Sequence, residues 1–447
     1  MLNVKRQSTA LQDLNYLVVG LGLTGYSVAA YLLRHGYRCR VQDTRDIPPY
    51  LGQLQAQFDT VDFYAGALDA ALLDWAEVIV MSPGLSIRRP EIEQAAELGK
   101  QVVGDIELFA RLVDAPVAAI TGSNGKSTVT RLVGEMLARD RKAVAVGGNI
   151  GTPALDLLDT GADYYVLELS SYQLETTTSL RPRVAALLNL CEDHLDRYDD
   201  YADYIRAKLR VFRHAETCVS NLDDAPTRHG DNDLTFSLDP SSGAEFRLVD
   251  DGGYRLAHGD DAWIAVDELR LSGRHNWANC LAAMAIADSL GVSKHAAIEA
   301  MREFEGIAHR SQWVAEIGGV EWINDSKATN VGAAQASIEG RTRPVILIAG
   351  GQSKGADMSV MVDNLRNKVK LVLLLGEDAG RLQQAWQGAT RIERVRDMAE
   401  AVRRARESAE AGDCVLLAPA CASFDMYEKF EARGDDFMRL VRELDDE

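Results

Sequence analysis

Two glycine-rich loops, each set between a short apolar run and a helix-length stretch, constrain this 447-residue chain more than any other feature. The first is VVGLGLTGYS (18–27), where Gly20, Gly22 and Gly25 form a GxGxxG; the next apolar run, Arg38–Val41, leads to Asp43. In a parallel α/β unit such glycines let backbone N–H groups approach a pyrophosphate at a helix N-terminus. The bare motif fits a dinucleotide, another nucleotide diphosphate, or a tight turn that binds nothing. Ser82-Pro83-Gly84, directly after VIVMS, is a candidate second element of that crevice. The second loop, AAITGSNGKST (118–128), carries more chemistry. Gly122 and Gly125 permit a tight turn, Lys126 can reach β- and γ-phosphates, and Ser127 can ligate Mg²⁺. The usual GxxxxGK[ST] has glycine where this chain has Ile120, so the loop is a shortened variant. It predicts ATP binding. Only this loop has the lysine and hydroxyl for triphosphate–Mg²⁺ chemistry, so the first is expected to hold a different nucleotide.

Short apolar runs recur at Tyr16–Gly20, Val78–Ser82, Val117–Thr121, Tyr164–Leu169 and Val184–Leu190, then at Arg343–Gly350, Leu371–Gly376 and Val415–Pro419. Helix-length stretches such as Gly25–His35, Lys126–Arg139 and Asn276–Leu290 lie between them. Buried strands alternating with helices predict parallel sheets in α/β layers. Residues 235–273 differ, with short alternating runs joined by Gly-Gly and Asp-rich turns, and predict an antiparallel hairpin patch. The length suggests about three domains. The expected division is a Rossmann-like domain over 1–105, a central P-loop ATPase-type domain with a mostly parallel sheet over 106–307, and a C-terminal Rossmann-like α/β domain over 308–447.

Forty-eight Lys and Arg against 67 Asp and Glu give a formal charge of −19. That field repels nucleic-acid backbones and anionic lipid surfaces, and argues against both as partners. The six cysteines show no CxxC and no metal-ligand spacing, which predicts reduced thiols. With no signal-peptide pattern and no apolar run of transmembrane length, the expectation is a cytoplasmic protein.

After the second loop come VGGNIG with Asn149, YYVLELSSYQLE with Glu168 closing a strand, and NLCEDHLDRY with Asp193, His194 and Asp196. Parallel-sheet sites lie at the carboxyl ends of strands, where these groups fall. A carboxylate emerging from an apolar strand suits an Mg²⁺ ligand. His194 alone reads equally as a cap or a ligand, and Asp193 and Asp196 as groups supporting a ligand or as helix caps. Lys208, in YIRAKLRVF, reads by itself as a solvated helix lysine.

TGSNGKST, Glu168, NLCEDHLDRY and Lys208 together resemble the Mur ligase family, the ATP-dependent amide ligases of peptidoglycan precursor synthesis. LSGRHNWANCLAA (271–283), EGIAHR ending at Arg310, WINDSKATN (322–330), AGGQSKGADMS (349–359) and LAPACASFDMYEKFEARG (417–434) extend the resemblance over essentially the whole chain. DSKATN and the PACASFD tail look like the branch that adds D-glutamate to UDP-N-acetylmuramoyl-L-alanine. The resemblance implies that Gly122, Asn124, Gly125, Lys126, Ser127 and Thr128 hold ATP phosphates, with Asn279 at adenine, Asp325 at the ribose and Arg310 at the phosphates. It implies two Mg²⁺ ions, one on Ser127 and Glu168, the other on His194 and a carbamylated Lys208. Leu23, Thr24, Asp43, Thr44, Arg45, Ser82 and Gly84 would hold the UDP part, while Asn149 and His194 touch the muramoyl–alanine end. Lys327, Thr329, Lys354, Ser423 and Phe430 would receive D-glutamate. Taken alone, Arg45 and Lys354 read as exposed loop cations and Phe430 as a core residue. The further expectation is a monomer whose cleft is made locally positive by Arg45, Lys126, Arg310, Lys327 and Lys354.

Overall fold

The computed structural model describes residues 13–191, 197–271 and 273–444. Three sheets carry the chain. The first is wholly parallel, in the order β3-β2-β1-β4-β5, from β1 (Asn15–Val19), β2 (Arg38–Asp43), β3 (Asp62–Ala65), β4 (Val78–Met81) and β5 (Gln101–Val103). Its order reverses between β1 and β4, and this brings Gly20 beside Ser82. A crevice at such a reversal is where open α/β sheets bind ligands.

The second sheet has nine strands in the order β14-β13-β12-β11-β10-β9-β6-β8-β7. They are β6 (Val117–Thr121), β7 (Val144–Gly148), β8 (Tyr164–Glu168), β9 (Val184–Leu187) and β10 (Thr217–Asn221), then β11 (Leu234–Ser237), β12 (Phe246–Asp250), β13 (Tyr254–His258) and β14 (Asp261–Ala265). β6 is buried at every position and lies between β8 and β9, parallel to both. The loop after β6 therefore opens between Glu168 on one side and the residues following Leu187 on the other. The expected antiparallel hairpin is present as β12 and β13, joined across Gly252-Gly253; what differs is β11, at the start of that stretch. β10, β11 and β12 pair in parallel, and the antiparallel pairing that follows is β12 with β13. Alternating hydrophobicity gives a half-buried strand but not its direction, which the connections impose.

The third sheet, in the order β15-β16-β20-β17-β18-β19, is built from β15 (Gln312–Ile317), β16 (Val320–Asn324), β17 (Val345–Gly350), β18 (Val369–Leu375), β19 (Arg391–Arg394) and β20 (Cys414–Leu417). β15 and β16 form an antiparallel pair; β20 joins β16 and β17 in parallel. Consequently DSKATN, AGGQSK and PACASF all leave from the carboxyl ends of three adjacent strands.

The chain divides into two compact units, residues 1–264 with 280–301, and residues 265–279 with 302–447. The first two sheets lie in the first unit. The cores are apolar throughout: Leu17, Val18, Ala118, Ile120, Val166, Leu167 and Ala186 in the first unit, Trp322, Leu347, Leu373 and Phe437 in the second. Among the described residues no helix is long and apolar enough to cross a membrane, and all six cysteines are free thiols.

Candidate active site

A cavity of about 300 Å³ lies at the order reversal of the first sheet, and Gly20, Gly22, Asp43, Thr44, Arg45, Ser82, Gly84, Leu85 and Arg89 contribute to its wall. Gly20 has φ +93, and a Cβ there would stand 2.9 Å from both Ser82 and Leu85. A Cβ on Gly25 would fall 1.8 Å from the Gly20 carbonyl oxygen, so the third glycine is what lets the helix Leu23–Arg34 pack on β1. Nothing lies within 4 Å of the place a Gly22 Cβ would occupy, so the backbone there is open to a ligand. Leu23 and Thr24 sit in the first turn of that helix and are not part of the cavity wall; Leu23 is 47% exposed.

Asp43 is buried and fully engaged. Its Oδ2 accepts from the Leu21 amide at 2.7 Å and from Arg45 Nη2 at 2.7 Å; Oδ1 accepts from the Arg45 amide and Nε at 2.9 and 2.8 Å. The hydrogen bonds from the Arg45 side chain, with the Leu21 and Arg45 amides, outweigh burial and hold the carboxyl down at about 2. Arg45 is thus no spare loop cation, and its charge in the cavity is largely met by Asp43. Arg89, which the sequence reading passed over, also contributes to the wall. The only sequence cue was a pair of arginines closing PGLSIRRP.

In the second sheet Gly125, at φ +78, turns the chain into the helix Lys126–Arg139. Lys126 Nζ donates to the carbonyls of Gly122 and Ser123 at 2.8 Å each. Ser127 Oγ donates to Glu168 Oε2 at 2.5 Å, and Asn149 Nδ2 to Oε1 at 2.8 Å. Ser127 and Glu168 are 1% and 3% exposed, so this carboxylate lies out of bulk water with neutral hydrogen-bond donors around it. Thr128 is buried one position on. Asn189 clamps the loop from the other side, its Oδ1 accepting from the Asn124 amide and its Nδ2 donating to the Asn124 carbonyl. The sequence reading did not single it out, although it opens the NLCEDH motif.

Lys208 corrects the reading of it as a solvated lysine. It is 2% exposed, with Nζ donating to the Gly122 carbonyl at 2.7 Å and to Thr121 Oγ1 at 3.4 Å. Its helix, Tyr201–Leu209, turns one face to the phosphate loop: Tyr204, four residues earlier, meets Ser123 Oγ at 2.9 Å through its hydroxyl. Residues four apart share a helix face, and here that face is the buried one. Asp193, His194 and Asp196 lie outside the described residues. Among the described residues no group of three or more His, Cys, Asp or Glu gathers as a metal cluster.

Asn279, Arg310, Asp325 and the five residues assigned to D-glutamate belong to the second unit. Asn279 is buried on the helix Arg274–Ser289, with Nδ2 donating to Asn276 Oδ1 at 3.1 Å. Arg310 closes a turn, its amide donating to the Ile307 carbonyl, beside His309 and Ser311, both at positive φ. Burial pushes the Asp325 carboxyl up, against the opposing pull of Ser337, Ser311, Arg341 and Arg310. Lys327 Nζ stands 4.2 Å over the Phe430 ring, so Phe430 faces a cation and not a purely apolar core. Lys354, exposed at φ +51, stands 5.6 Å from the Phe424 ring. A Gln352–Ala422 bridge, with amide–carbonyl bonds of 3.0 and 2.9 Å, joins the loops that carry Lys354 and Ser423. Thr329 is partly buried just before the helix Val331–Glu339.

Arg433, also unassigned by the sequence, fastens two of these loops together. It is 3% exposed and donates to Ser326 Oγ, the Ser326 carbonyl and the Cys421 carbonyl at 2.9–3.2 Å. Burial pulls the guanidinium down to about 10.

Three family models match this chain: Mur ligase MurD-like N-terminal domain over residues 14–104, Mur ligase middle domain over 120–287, and Mur ligase glutamate ligase domain over 309–421. The chain belongs to the Mur ligase family. Within it, the chain is 48% identical over 437 residues to the UDP-N-acetylmuramoylalanine–D-glutamate ligase of Pseudomonas aeruginosa, covering 96% of this chain and 98% of that one. It is 47% identical to the enzyme of the same name from Methylococcus capsulatus, covering 96% and 94%. Among solved Mur-type structures, a pseudomurein peptide ligase type C from Methanothermus fervidus superposes with a TM-score of 0.61 at 17% identity, over 96% of this chain and 100% of that one. UDP-N-acetylmuramate–alanine ligase from Thermotoga maritima gives 0.60 at 18%, over 96% and 99%. These two likenesses speak to the fold.

Proposed function

We propose that this Mur ligase adds D-glutamate to UDP-N-acetylmuramoyl-L-alanine, with ATP as co-substrate, in peptidoglycan precursor synthesis. The observation that carries this is the near-full-length identity of 45–48% to ligases named for that reaction. The geometry of the phosphate loop supports it. In the reaction the substrate's alanine carboxylate oxygen takes the γ-phosphoryl group of ATP as the bond to the β-bridging oxygen breaks, giving ADP and an acyl phosphate. The amine of D-glutamate then attacks the acyl carbon. The C–O bond to phosphate breaks, the amine loses a proton, and an amide and inorganic phosphate leave.

Phosphoryl transfer asks for positioning and charge neutralisation more than covalent chemistry. Lys126 and the backbone of Gly122–Thr128 take the ATP phosphates, and Arg310 adds a guanidinium. Asn279 and Asp325 take adenine and ribose. Ser127 and Glu168 offer adjacent hard oxygen donors, and a buried carboxylate with neutral partners suits a divalent cation. Ser127 and Glu168 would hold Mg²⁺, which would supply positive charge against the transferring phosphoryl group. Lys208, with His194, would hold a second ion once CO₂ had converted its amine to a carbamate. Labelling with ¹³CO₂ and reading a carbamate resonance that Lys208→Met abolishes tests that assignment.

The cavity at Gly20 and Ser82 takes the UDP part through Thr44, Arg45, Ser82 and Gly84, with Asp43 orienting Arg45. Leu23 and Thr24, in the first turn of the helix that follows Gly22, add to the UDP contacts. Asn149 and His194 reach the muramoyl–alanine end. Lys327, Thr329, Lys354, Ser423 and Phe430 receive D-glutamate, held in register by Arg433. The domains divide near residues 105 and 307, and the enzyme works as a cytoplasmic monomer.

Phosphate release with ATP, Mg²⁺ and UDP-N-acetylmuramoyl-L-alanine tests the reading, comparing D-glutamate with L-glutamate, L-alanine and meso-diaminopimelate. Stimulation by D-glutamate alone is expected. Stimulation by another of these amino acids in its place overturns the substrate assignment.

A further inference from the structure

The lip of the nucleotide cavity is held from outside its own sheet. Residues 82–85 form a turn after β4, closed by the Leu85 amide on the Ser82 carbonyl at 2.9 Å, and Ser82, Gly84 and Leu85 line the cavity. Arg197 approaches from the chain that leads into the helix Tyr201–Leu209. Its Nη1 donates to the Pro83 carbonyl at 3.2 Å and its Nη2 to the Leu85 carbonyl at 2.8 Å. Its guanidinium lies 4.3 Å over the Tyr172 ring and 3.6 Å from Glu175 Oε2, and the side chain is 13% exposed. Arg197 itself is not among the described residues that line the cavity.

A second arginine crosses the same boundary in the opposite sense. Arg88, just beyond the lip, donates to Asp203 at 2.5 Å and approaches Asp199 and the other oxygen of Glu175 at 3.3 and 3.6 Å. Glu175 ends the short helix Ser171–Glu175, which starts three residues after Glu168. Tyr198 packs edge-on against Tyr204, whose hydroxyl meets Ser123 of the phosphate loop. The lip is thereby tied to both flanks of the ATP loop.

Resting on the reading of this cavity as the UDP site, we infer that Arg197 is a positioning residue, which sets the lip of the UDP cavity from the ATP-binding sheet without touching the nucleotide. A guanidinium fork holds two carbonyls at a fixed spacing. Releasing it lets Ser82 and Gly84 drift from the place where they meet the ligand, and a misplacement of about 1 Å is enough to weaken a polar site.

Titration calorimetry with UDP as the probe, together with steady-state kinetics, tests this on the full-length wild type, Arg197→Ala and Arg197→Lys. For Arg197→Ala the UDP Kd and the KM for the UDP-substrate rise about tenfold, the effect of losing two charge-assisted bonds. The KM for ATP and the kcat at saturation stay within about twofold. Arg197→Lys falls between, because an ammonium group cannot fork across both carbonyls. UDP binding unchanged in a folded Arg197→Ala overturns the inference while leaving the cavity reading intact. A parallel rise in both KM values, tracking a fall in Tm, also overturns it, since that is the mark of a merely structural residue. Failure of the wild type to bind UDP overturns the cavity reading and this inference with it.

Discussion

Ser127 Oγ and Glu168 Oε2 are 2.5 Å apart, and the contact joins the first turn of the phosphate-loop helix to the end of β8. The two residues are 41 positions apart in sequence, and the parallel pairing of β6 with β8 brings them together. Replacing Glu168 by Ala removes the acceptor for both Ser127 and Asn149 and the anionic oxygen that suits a divalent cation. We expect kcat to fall about 10²–10³-fold, as when one preorganised charge-stabilising group is lost. Circular dichroism should stay unchanged, and phosphate release at saturating Mg²⁺ and ATP measures the effect.

Gly25 and Gly22 separate two reasons for a glycine. Gly25→Ala puts a methyl group into the Gly20 carbonyl and should destabilise the protein by about 2 kcal/mol or more, read by denaturant unfolding. Gly22→Ala meets no atom within 4 Å and has a φ of −79 that alanine accepts. It should fold normally and lose UDP affinity alone.

Asp105 predicts a pH dependence. It is 2% exposed at the N-terminus of the helix Asp105–Leu112, with Oδ2 accepting from Gln173 Nε2 at 2.9 Å. Burial pushes its carboxyl up from 3.8 to about 6, against the hydrogen bonds from Gln173 and the Ile106 and Asp105 amides. Between these values the folded chain holds a proton that the unfolded chain has released, so this group lowers stability as pH rises from about 4 to 6. The cost is complete above the folded value and absent below about 4. Asp105→Asn should raise Tm at pH 8 relative to wild type and show little gain at pH 4, by scanning calorimetry at both pH values.

Arg433→Lys should act on one substrate. A lysine cannot reach Ser326 Oγ and the carbonyls of Ser326 and Cys421 together, so the loops carrying Lys327 and Ser423 lose their common tether. The KM for D-glutamate should rise about tenfold while the KM for the UDP-substrate stays within about twofold. Initial rates with each substrate varied in turn provide the check.

Much of the fold and the phosphate site was legible because it depends on short-range pattern. The run Val117–Thr121, the loop 122–125 and the helix Lys126–Arg139 have the same bounds in sequence and structure. Glu168 closes its strand, one residue before the apolar run ends at Leu169. The hairpin of β12 and β13 was legible from its Gly-Gly turn, but the direction of β11 was not, since alternation is the same for parallel and antiparallel neighbours. Nor was the fate of individual charges. Arg45 is committed to Asp43, Lys208 is buried against Gly122, and Arg89, Arg197 and Arg433 sit at sites their local sequence does not mark.

By itself, then, the sequence determined the alternation of strand and helix, the two glycine loops and the kind of chemistry each can support. These follow from steric freedom at glycine, the period of buried residues and the donors carried by Lys126 and Ser127. The tertiary structure decided which distant groups meet: Ser127 with Glu168, Lys208 with Gly122, Arg197 with the lip at Pro83 and Leu85. The physical reason lies in the charges and hydrogen bonds. A long polar side chain has no preferred partner until packing removes water from around it, and only then does the nearest carbonyl or carboxylate fix where it points.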